Sequence, residues 1–228
     1  PAVKAVGEEL ADRIFYLTAK TITATVAKET FALLEKNGYR AKTIQITAKE
    51  KLCPCDEMEC NPVTCPYAKG HFDRVNDAVF DLLHRCEMIE RDDILSQADR
   101  YTVCPFELCL DTASWCDNII CDYNYVFDPN VYLKRFFQEG IKGDYIFLID
   151  EAHNMVERSR QMYSAQIYKE DFLTVKRIMK EHSRSIEKAL EKCNKILLGM
   201  KRECENYTVY DTFGNMVFSF MRLMTLLD

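Results

Sequence analysis

The sequence has no apolar run that approaches the roughly 20 residues needed to cross a membrane as a helix. Its first residues, PAVKAVGEELADR, also lack the charged start and continuous apolar stretch of a secretory signal. Internal repeats and low-complexity tracts are absent. We therefore expect a soluble, non-secreted, cytoplasmic protein without a membrane partner, associated with the nucleoid if its source is prokaryotic.

Glycine is scarce, with only seven residues in a chain of 228. None of them lies in a G-x-x-x-x-G-K-[ST] arrangement, the loop whose backbone N–H groups surround the phosphates of a bound nucleotide. The chain as given therefore lacks the phosphate-holding part of such a nucleotide site.

An excess of basic residues is also missing, because 30 Lys and Arg face 36 Asp and Glu for a formal net charge of −6. Residues 1–154 carry 17 basic and 26 acidic side chains, whereas residues 155–228 carry 13 and 10. A basic patch or stripe is the usual electrostatic sign of a nucleic-acid-binding domain. The overall charge therefore gives no support to nucleic-acid binding.

What is present is a succession of strand-like and helix-like segments. A helix-like stretch at 22–38 stops at Asn37-Gly38 and lies between two apolar, β-rich runs. Runs of this strand-like kind occur at 13–20, 41–47, 118–123 and 145–150. The order strand, helix, strand predicts an α/β fold with a parallel sheet covered by helices. A hydrophobic content of 48% is enough for a substantial core.

Between these segments, the regular pattern breaks at Glu50 into EKLCPCDEMECNPVTCPYAKG, which predicts an irregular insert. An amphipathic helix follows, because apolar residues recur at steps of three and four. Those residues are Phe72, Val75, Val79, Leu82, Leu83 and Cys86. We expect short helical pieces around Cys104-Pro105 and a helix over residues 1–12. Residues 167–228 predict helices with an interruption at 206–215.

The string YIFLIDEAHN ends an apolar strand in two carboxylates, Asp150 and Glu151. Ligands of open α/β sheets bind outside the carboxyl ends of the strands. An Asp at that position can hold Mg²⁺, usually through its waters, and the next Glu can orient or deprotonate an attacking water. A strand that merely ends in charged residues is the alternative, but the complete string favours a nucleotide-hydrolysis motif.

Eleven cysteines occur, and nine of them fall between Cys53 and Cys121. Thiolates are soft ligands for zinc or iron, and either metal site takes four of them. The wide, irregular spacing of the first cysteines favours an iron–sulfur cluster over the paired knuckles typical of zinc. We interpret the other cysteines as small, buried, apolar residues. These are Cys86, Cys109, Cys116, Cys121, Cys193 and Cys204.

Five motifs in a fixed order resemble one family: FYLTAKT, KLC with further cysteines, CPFE, DYNYVFDP and LIDEAHN. Over about residues 1–165 the chain resembles the first motor domain of XPD/DinG-type iron–sulfur DNA helicases of superfamily 2. The resemblance implies a RecA-like parallel-sheet motor domain with an iron–sulfur insert, followed by an α-helical, arch-like segment. It also implies an ATP-dependent enzyme that unwinds DNA with 5′-to-3′ polarity in repair or replication. ATP and Mg²⁺ would be its cofactors, and single-stranded DNA and fork junctions its partners.

The resemblance also assigns roles to the residues of the motor. Asp150 would coordinate Mg²⁺, Glu151 would activate water, and His153 would couple hydrolysis to the rest of the motor. The segment LTAKT resembles a motif that contacts the DNA backbone. It implicates Thr18, Lys20 and Thr21.

For the cysteines, the resemblance implies a 4Fe-4S cluster held by Cys53, Cys65 and Cys104. The second ligand is Cys60 or Cys55, and we favour Cys60. Cys55 lies two residues from Cys53 and would have to fold back sharply to share the cluster.

Domain boundaries follow from the same resemblance. We expect motor-domain segments at 1–49 and 111–165, the cluster insert at 50–110 and the start of the arch at 166–228. The phosphate-binding loop and a second motor domain are missing, so the chain resembles an excerpt of a longer helicase that would neither bind ATP tightly nor unwind DNA alone.

The insert itself is acidic, with 12 acidic and 6 basic side chains from Glu50 to Cys104. Its average field therefore repels phosphate. Any grip on DNA would come from local basic or aromatic residues, unless these only form a solvated helix face. The candidates are Lys51, Lys69, Arg74, Tyr67 and Phe72.

Two other functions remain open at this stage. The chain is alternatively a zinc-stabilised interaction module without ATPase activity, or a nuclease that uses Asp150 and Glu151 as metal ligands. No further acidic residues cluster with this pair in the sequence, which disfavours the nuclease. Zinc without iron or inorganic sulfide would favour the interaction module.

Overall fold

A computed structural model describes residues 1–19 and 21–227, excluding the side chains of Thr21 and Ile22. The chain divides into two compact units, Pro1–Tyr163 and Ser164–Asp228. The first contains all five strands, and the second consists of helices and loops.

The first unit alternates strands with helices along the chain. Its elements are α1 (Ala2–Gly7), β1 (Arg13–Thr18), α2 (Thr21–Lys36), β2 (Thr43–Gln45), α3 (Lys49–Leu52), α4 (His71–Arg85), β3 (Met88–Ile89), α5 (Arg91–Tyr101), α6 (Pro105–Ala113), β4 (Asn118–Asp122), α7 (Asn124–Phe127), α8 (Lys134–Phe137), β5 (Tyr145–Ile149), a 3₁₀ turn (Ala152–Asn154) and α9 (Met155–Met162).

The five strands form one sheet in the order β3-β2-β4-β1-β5. Every neighbouring pair is parallel, with Leu17 of β1 opposite Cys121 of β4 on one side and Ile149 of β5 on the other. The parallel sheet predicted from the strand and helix order is confirmed. Its carboxyl ends bring the residues that follow β1, β4 and β5 to one edge.

Both faces of the sheet are covered, because alternate residues of each central strand point to opposite sides. Phe15 and Leu17, both fully buried, face the larger core with residues of α4, α5 and α6. Ile14 and Ile120 face a smaller core with residues of α2. Strand β5 is more open, and its Phe147 and Leu148 are 39% and 36% exposed.

Helix α4 packs by the predicted stripe, with one exception. Val75, Val79 and Leu82 are buried, whereas Phe72 is 85% exposed and lies outside the core. The helix begins after Gly70, whose φ of 66° lies in the left-handed region. This φ favours glycine, and a Cβ added there would also lie 2.6 Å from a guanidinium nitrogen of Arg74, which would have to move.

The predicted elements differ from the observed ones mainly at their ends. The first helix stops at Gly7 rather than continuing to residue 12, and a left-handed Glu9 follows it. The two-residue strand β3 adds a sheet edge that no sequence pattern indicated. In the described part of the chain, no helix is long and apolar enough to span a membrane.

The second unit contains three helices, α10 (Lys169–Met179), α11 (Arg184–Arg202) and α12 (Gly214–Leu227). Ser183 caps α11, where its hydroxyl accepts a hydrogen bond from the Ile186 N–H at 3.5 Å. Leu190 and Cys193 of α11 pack against Leu223 of α12 in a small core of their own. The gap between α11 and α12 is the interruption that the sequence predicted at 206–215.

Candidate functional site

The acidic pair lies where the sequence placed it, directly after β5 at the carboxyl edge of the sheet. The Asp150 N–H donates to the Leu17 carbonyl at 3.0 Å and so extends the pairing of β5 with β1. The Tyr123 hydroxyl donates to the Asp150 carbonyl. The backbone of Asp150 is therefore held by two segments, which leaves its carboxylate for other partners.

Glu151 has φ 49°, one of few non-glycine residues with a left-handed backbone. Non-glycine residues in this region are often found at functional sites. The Glu151 carboxylate lies 3.2 Å from Nδ1 of His153, and the two side chains are 56% and 74% exposed. The structure therefore brings Glu151 and His153 together and leaves both accessible.

Burial and the negative charge of the acidic pair raise the pKa of two nearby tyrosines, Tyr16 and Tyr123. Burial raises the pKa of Tyr16, and the negative charge of Asp150 raises it further. Burial also raises the pKa of Tyr123, with further contributions from Asp150, Glu151 and Asp122. The charges of Asp150, Glu151 and Asp122 thus all act on Tyr123, so this edge of the sheet is acidic.

Arg158 of α9 is a site residue that sequence reasoning missed. Its Nη2 donates to Asn124 Oδ1 at 3.1 Å and lies 3.5 Å from Asp122 Oδ1. Its Nε is buried without a hydrogen-bond partner within the described ranges 1–19 and 21–227. Arg158 therefore links the helix after the acidic pair to the segment DYNY after β4. In the sequence, the DYNYVFDP motif marked Asp122 and Asn124, but nothing indicated that Arg158 would contact them.

A cleft of about 980 Å³ lies at the carboxyl ends of β1, β2 and β4. Thr18, Lys49, Asp122 and Tyr125 are among its lining residues. Thr18 is only 5% exposed, so this predicted DNA contact is largely covered by the protein. Lys20 lies outside the described residues, as does the side chain of Thr21.

In the cysteine-rich segment, Cys55 interacts with both Cys53 and Cys65. The pKa of the Cys55 thiol is raised to about 11, and burial is the main cause. Hydrogen bonds to Cys65 and Cys53, and the charges of these two thiols, raise it further. The Cys53 thiol also lies 3.9 Å from the Cys55 carbonyl. Cys55, rather than Cys60, is therefore the thiol that interacts with both Cys53 and Cys65 in this structure.

Cys60 lies in a second group with Lys49 and Cys104. A hydrogen bond to Cys60 raises the pKa of Lys49, and the charge of Cys104 acts in the same direction. Burial raises the pKa of Cys104, with smaller contributions from the charges of Glu107 and Cys60. Across residues 1–19 and 21–227, no three His, Cys, Asp or Glu side chains converge as metal ligands.

As a donor set, these cysteines fit an iron–sulfur cluster. All five thiols of the two groups are free, and a cluster of this kind takes four thiolates. Hydrogen bonds or charge interactions relate each of these thiols to at least one other, although no three of them converge within the described residues. The other cysteines are packed in cores or half-buried, and Cys109, Cys116, Cys121 and Cys193 are at most 2% exposed.

Two residues at the start of α4 join the cysteine segment to the loop of Cys104. The Cys104 N–H donates to His71 Nδ1 at 3.2 Å. Arg74 donates to the carbonyls of Lys69 at 2.7 Å, Tyr101 at 2.8 Å and Thr102 at 2.6 Å. Arg74 was a candidate DNA contact in the sequence, but its guanidinium is used to hold these loops. We call His71 and Arg74 the α4 clamp.

Comparison with known proteins identifies relatives of this chain. A family model described as DEAD_2 matches residues 26–172. The chain is 32% identical over 108 residues to the general transcription and DNA repair factor IIH helicase subunit XPD/RAD3 of Saccharomyces cerevisiae, covering 47% of this chain and 13% of that protein. It is 28% identical over 76 residues to the Fanconi anemia group J protein homolog of Gallus gallus, covering 33% of this chain and 6% of that protein.

A solved structure described as truncated XPD matches with a TM-score of 0.54 at 14% identity, covering 98% of this chain and 67% of that chain. This likeness concerns the fold. The chain spans only a small part of both curated relatives, whereas the family model covers more than half of the chain itself. The chain therefore belongs to the DEAD_2 family and is of the XPD type that its motifs indicate.

Proposed function

We propose that this chain forms the iron–sulfur-bearing part of the first motor domain of an ATP-dependent DNA helicase. The observation that carries the proposal is the acidic pair at the carboxyl end of β5. Its backbone is anchored to Leu17 and Tyr123, and its carboxylates are free of these anchors. Membership of the DEAD_2 family, and the word helicase in the name of the XPD/RAD3 relative, support this function.

In the proposed mechanism, Asp150 would hold the Mg²⁺ of a bound nucleotide and Glu151 would take a proton from the attacking water. Mg²⁺ would neutralise the charge that develops on the transferred phosphoryl group. His153, at 3.2 Å from Glu151, would couple hydrolysis to the rest of the motor. Arg158 ties α9, the helix that follows the acidic pair, to Asp122 and Asn124, which line the cleft.

DNA is the proposed substrate, as a single strand and at fork junctions, and unwinding with 5′-to-3′ polarity in repair or replication is the finer part of the proposal. Thr18 and Ala19 line the cleft, which supports a path for the strand there. We assign the DNA backbone contacts to Thr18, Lys20 and Thr21.

We assign the cluster ligands to Cys53, Cys60, Cys65 and Cys104, with Cys55 as the alternative to Cys60. A 4Fe-4S group would supply a rigid cross-link between the segment 53–65 and the Cys104 loop. The α4 clamp supports this assignment, because it joins Lys69, four residues after Cys65, to the Cys104 loop. The proposed domain boundaries remain 1–49, 50–110, 111–165 and 166–228.

The test uses the full-length protein purified without air. We expect a brown protein with iron and inorganic sulfide, ATP hydrolysis stimulated by single-stranded DNA, and displacement of a strand ahead of a 5′ single-stranded tail. Glu151→Gln should retain ATP binding and lose turnover by about 100-fold or more, the scale at which a general base contributes. Bound zinc without iron, or normal turnover in Glu151→Gln, would contradict the proposal.

A further inference from the structure

A groove of about 450 Å³ lies between α11 and α12 in the second unit. Arg184, Lys188 and Lys192 of α11 and Arg222 of α12 line it, and none of its lining residues is acidic. All four basic side chains are exposed. In a unit with several acidic residues, this groove concentrates positive charge on one face.

The basic residues of α11 are spaced to form a straight row. Arg184, Lys188 and Lys192 follow one another at steps of four residues, which on a helix places them on one face about 6 Å apart. That separation is close to the distance between successive phosphates of an extended nucleic-acid strand. Arg222 faces the row from α12 and gives the groove a second basic wall.

The charge of the groove is not neutralised by ion pairs among the residues that the structure describes. Lys195 and Lys176, elsewhere in the same unit, both pair with Glu191 at 3.0 Å and 3.3 Å. By contrast, none of the four groove cations forms an ion pair with any residue that the structure describes. Four like charges without a counter-charge repel one another, so an anion that enters the groove relieves this repulsion.

The floor of the groove is formed by small, buried residues. Ala189 and Ser219 line it and are 8% and 3% exposed. The Ser219 hydroxyl donates to the Asn215 carbonyl at 2.8 Å, which fixes its position in α12. Small residues beneath long basic side chains leave room for a polyanion to lie along the helix while the cations reach it from both walls.

We propose that this groove binds the phosphodiester backbone of single-stranded DNA. The choice of DNA among polyanions rests on the proposed helicase function, whereas the groove and its charge rest on the structure of the second unit alone. The regular row of three cations fits a ligand with evenly repeated charges. It makes no use of base edges, so binding is independent of sequence.

The test measures binding of a labelled oligothymidylate to the full 228-residue chain by fluorescence anisotropy without ATP, over a series of salt concentrations. The groove variant is Lys188→Gln with Lys192→Gln. Arg177→Gln with Lys195→Gln is the matched control, because it removes the same charge from the same unit outside the groove. Lys and Gln have similar helix propensities, so both variants should keep their helices, as circular dichroism will verify.

We expect the groove variant to bind about fivefold more weakly or worse, and its plot of log K against log salt to be shallower by about 1.4, since each phosphate contact on a single strand contributes about 0.7. The control should match the unaltered chain. Equal affinity and equal salt slope in both variants would overturn the inference. So would a stronger effect of the groove variant on polyglutamate or phosphatidylserine vesicles than on DNA.

The outcome of this binding experiment is independent of the outcome of the helicase test. The binding experiment involves neither ATP nor Glu151, so a full-length protein without helicase activity leaves the groove measurement intact. Conversely, if the full-length protein is an active helicase and its groove variant binds DNA normally, the groove does not bind DNA, whereas the proposed helicase function stands.

Discussion

Tyr123, fully buried after β4, donates its hydroxyl hydrogen to the backbone carbonyl of Asp150 after β5. The two strands that carry these residues are not neighbours, because β1 lies between them in the sheet. The bond therefore spans the carboxyl edge of the sheet and sets the position of the acidic pair from outside its own strand.

Replacing Tyr123 by Phe should lower the free energy of unfolding by about 1–3 kcal/mol, because the substitution leaves the Asp150 carbonyl without its partner in a partly buried place. Urea denaturation of the 228-residue chain measures this change. Tyr163→Phe is the control, since Tyr163 is 72% exposed. An equal effect of both substitutions would contradict the role given to the Tyr123 hydroxyl.

The identity of the second cluster ligand gives a second prediction. We expect Cys60→Ser to lose iron, inorganic sulfide and the brown colour, and Cys55→Ser to retain all three. The contacts of Cys55 with Cys53 and Cys65 make the comparison decisive, because a rigid site with these contacts would show the opposite pattern. Loss of iron in Cys55→Ser alone would transfer the ligand role to Cys55.

The α4 clamp provides a third prediction. Arg74→Gln removes a charged donor from three carbonyls, and we expect a loss of about 2–3 kcal/mol in stability together with faster bleaching of the cluster by a chelator. Arg100→Gln is the matched control, because Arg100 makes an exposed ion pair with Asp81 at 2.8 Å and such pairs contribute little. Bleaching at the same rate in both variants would show that the clamp does not support the cluster.

The two sides of α4 should respond very differently to truncation. Leu82→Ala empties part of the main core and should cost about 2–5 kcal/mol, since Leu82 is fully buried. Phe72→Ser should change the stability by about 0.5 kcal/mol or less, because Phe72 is 85% exposed. Thermal or urea unfolding of both variants checks the prediction, and a large loss for Phe72→Ser would mean that this side chain is packed.

Strands and amphipathic helices were predictable here wherever the apolar pattern was long. Runs such as RIFYLT and YIFLI specify buried parallel strands, but the two residues of β3 are too few to carry a period. The stripe of α4 predicted its buried face and wrongly included Phe72, because periodicity does not tell where the covering elements end. The apolar strand that ends in Asp150 and Glu151 indicated the acidic pair, and the family resemblance assigned the roles of its residues.

The partners of the site could not be read from sequence, since they are distant in the chain. Arg158 meets Asp122 across 36 positions and Arg74 meets Thr102 across 28. Tyr123 likewise reaches Asp150 across 27 positions. Such pairs depend on the order of the strands in the sheet and on the packing of the helices. The basic row of α11 is visible as a spacing of four, whereas its fourth member, Arg222, joins only through the packing of α12.

Strand β5 pairs with β1 along one side, and no partner on its other side is described in residues 1–19 and 21–227. A strand with one open side and two half-exposed apolar residues, Phe147 and Leu148, is a template for pairing with another copy. The practical consequence concerns handling: the isolated chain should self-associate as its concentration rises. A lysine at position 147 should keep it monodisperse, because a charge on such a strand opposes pairing between copies.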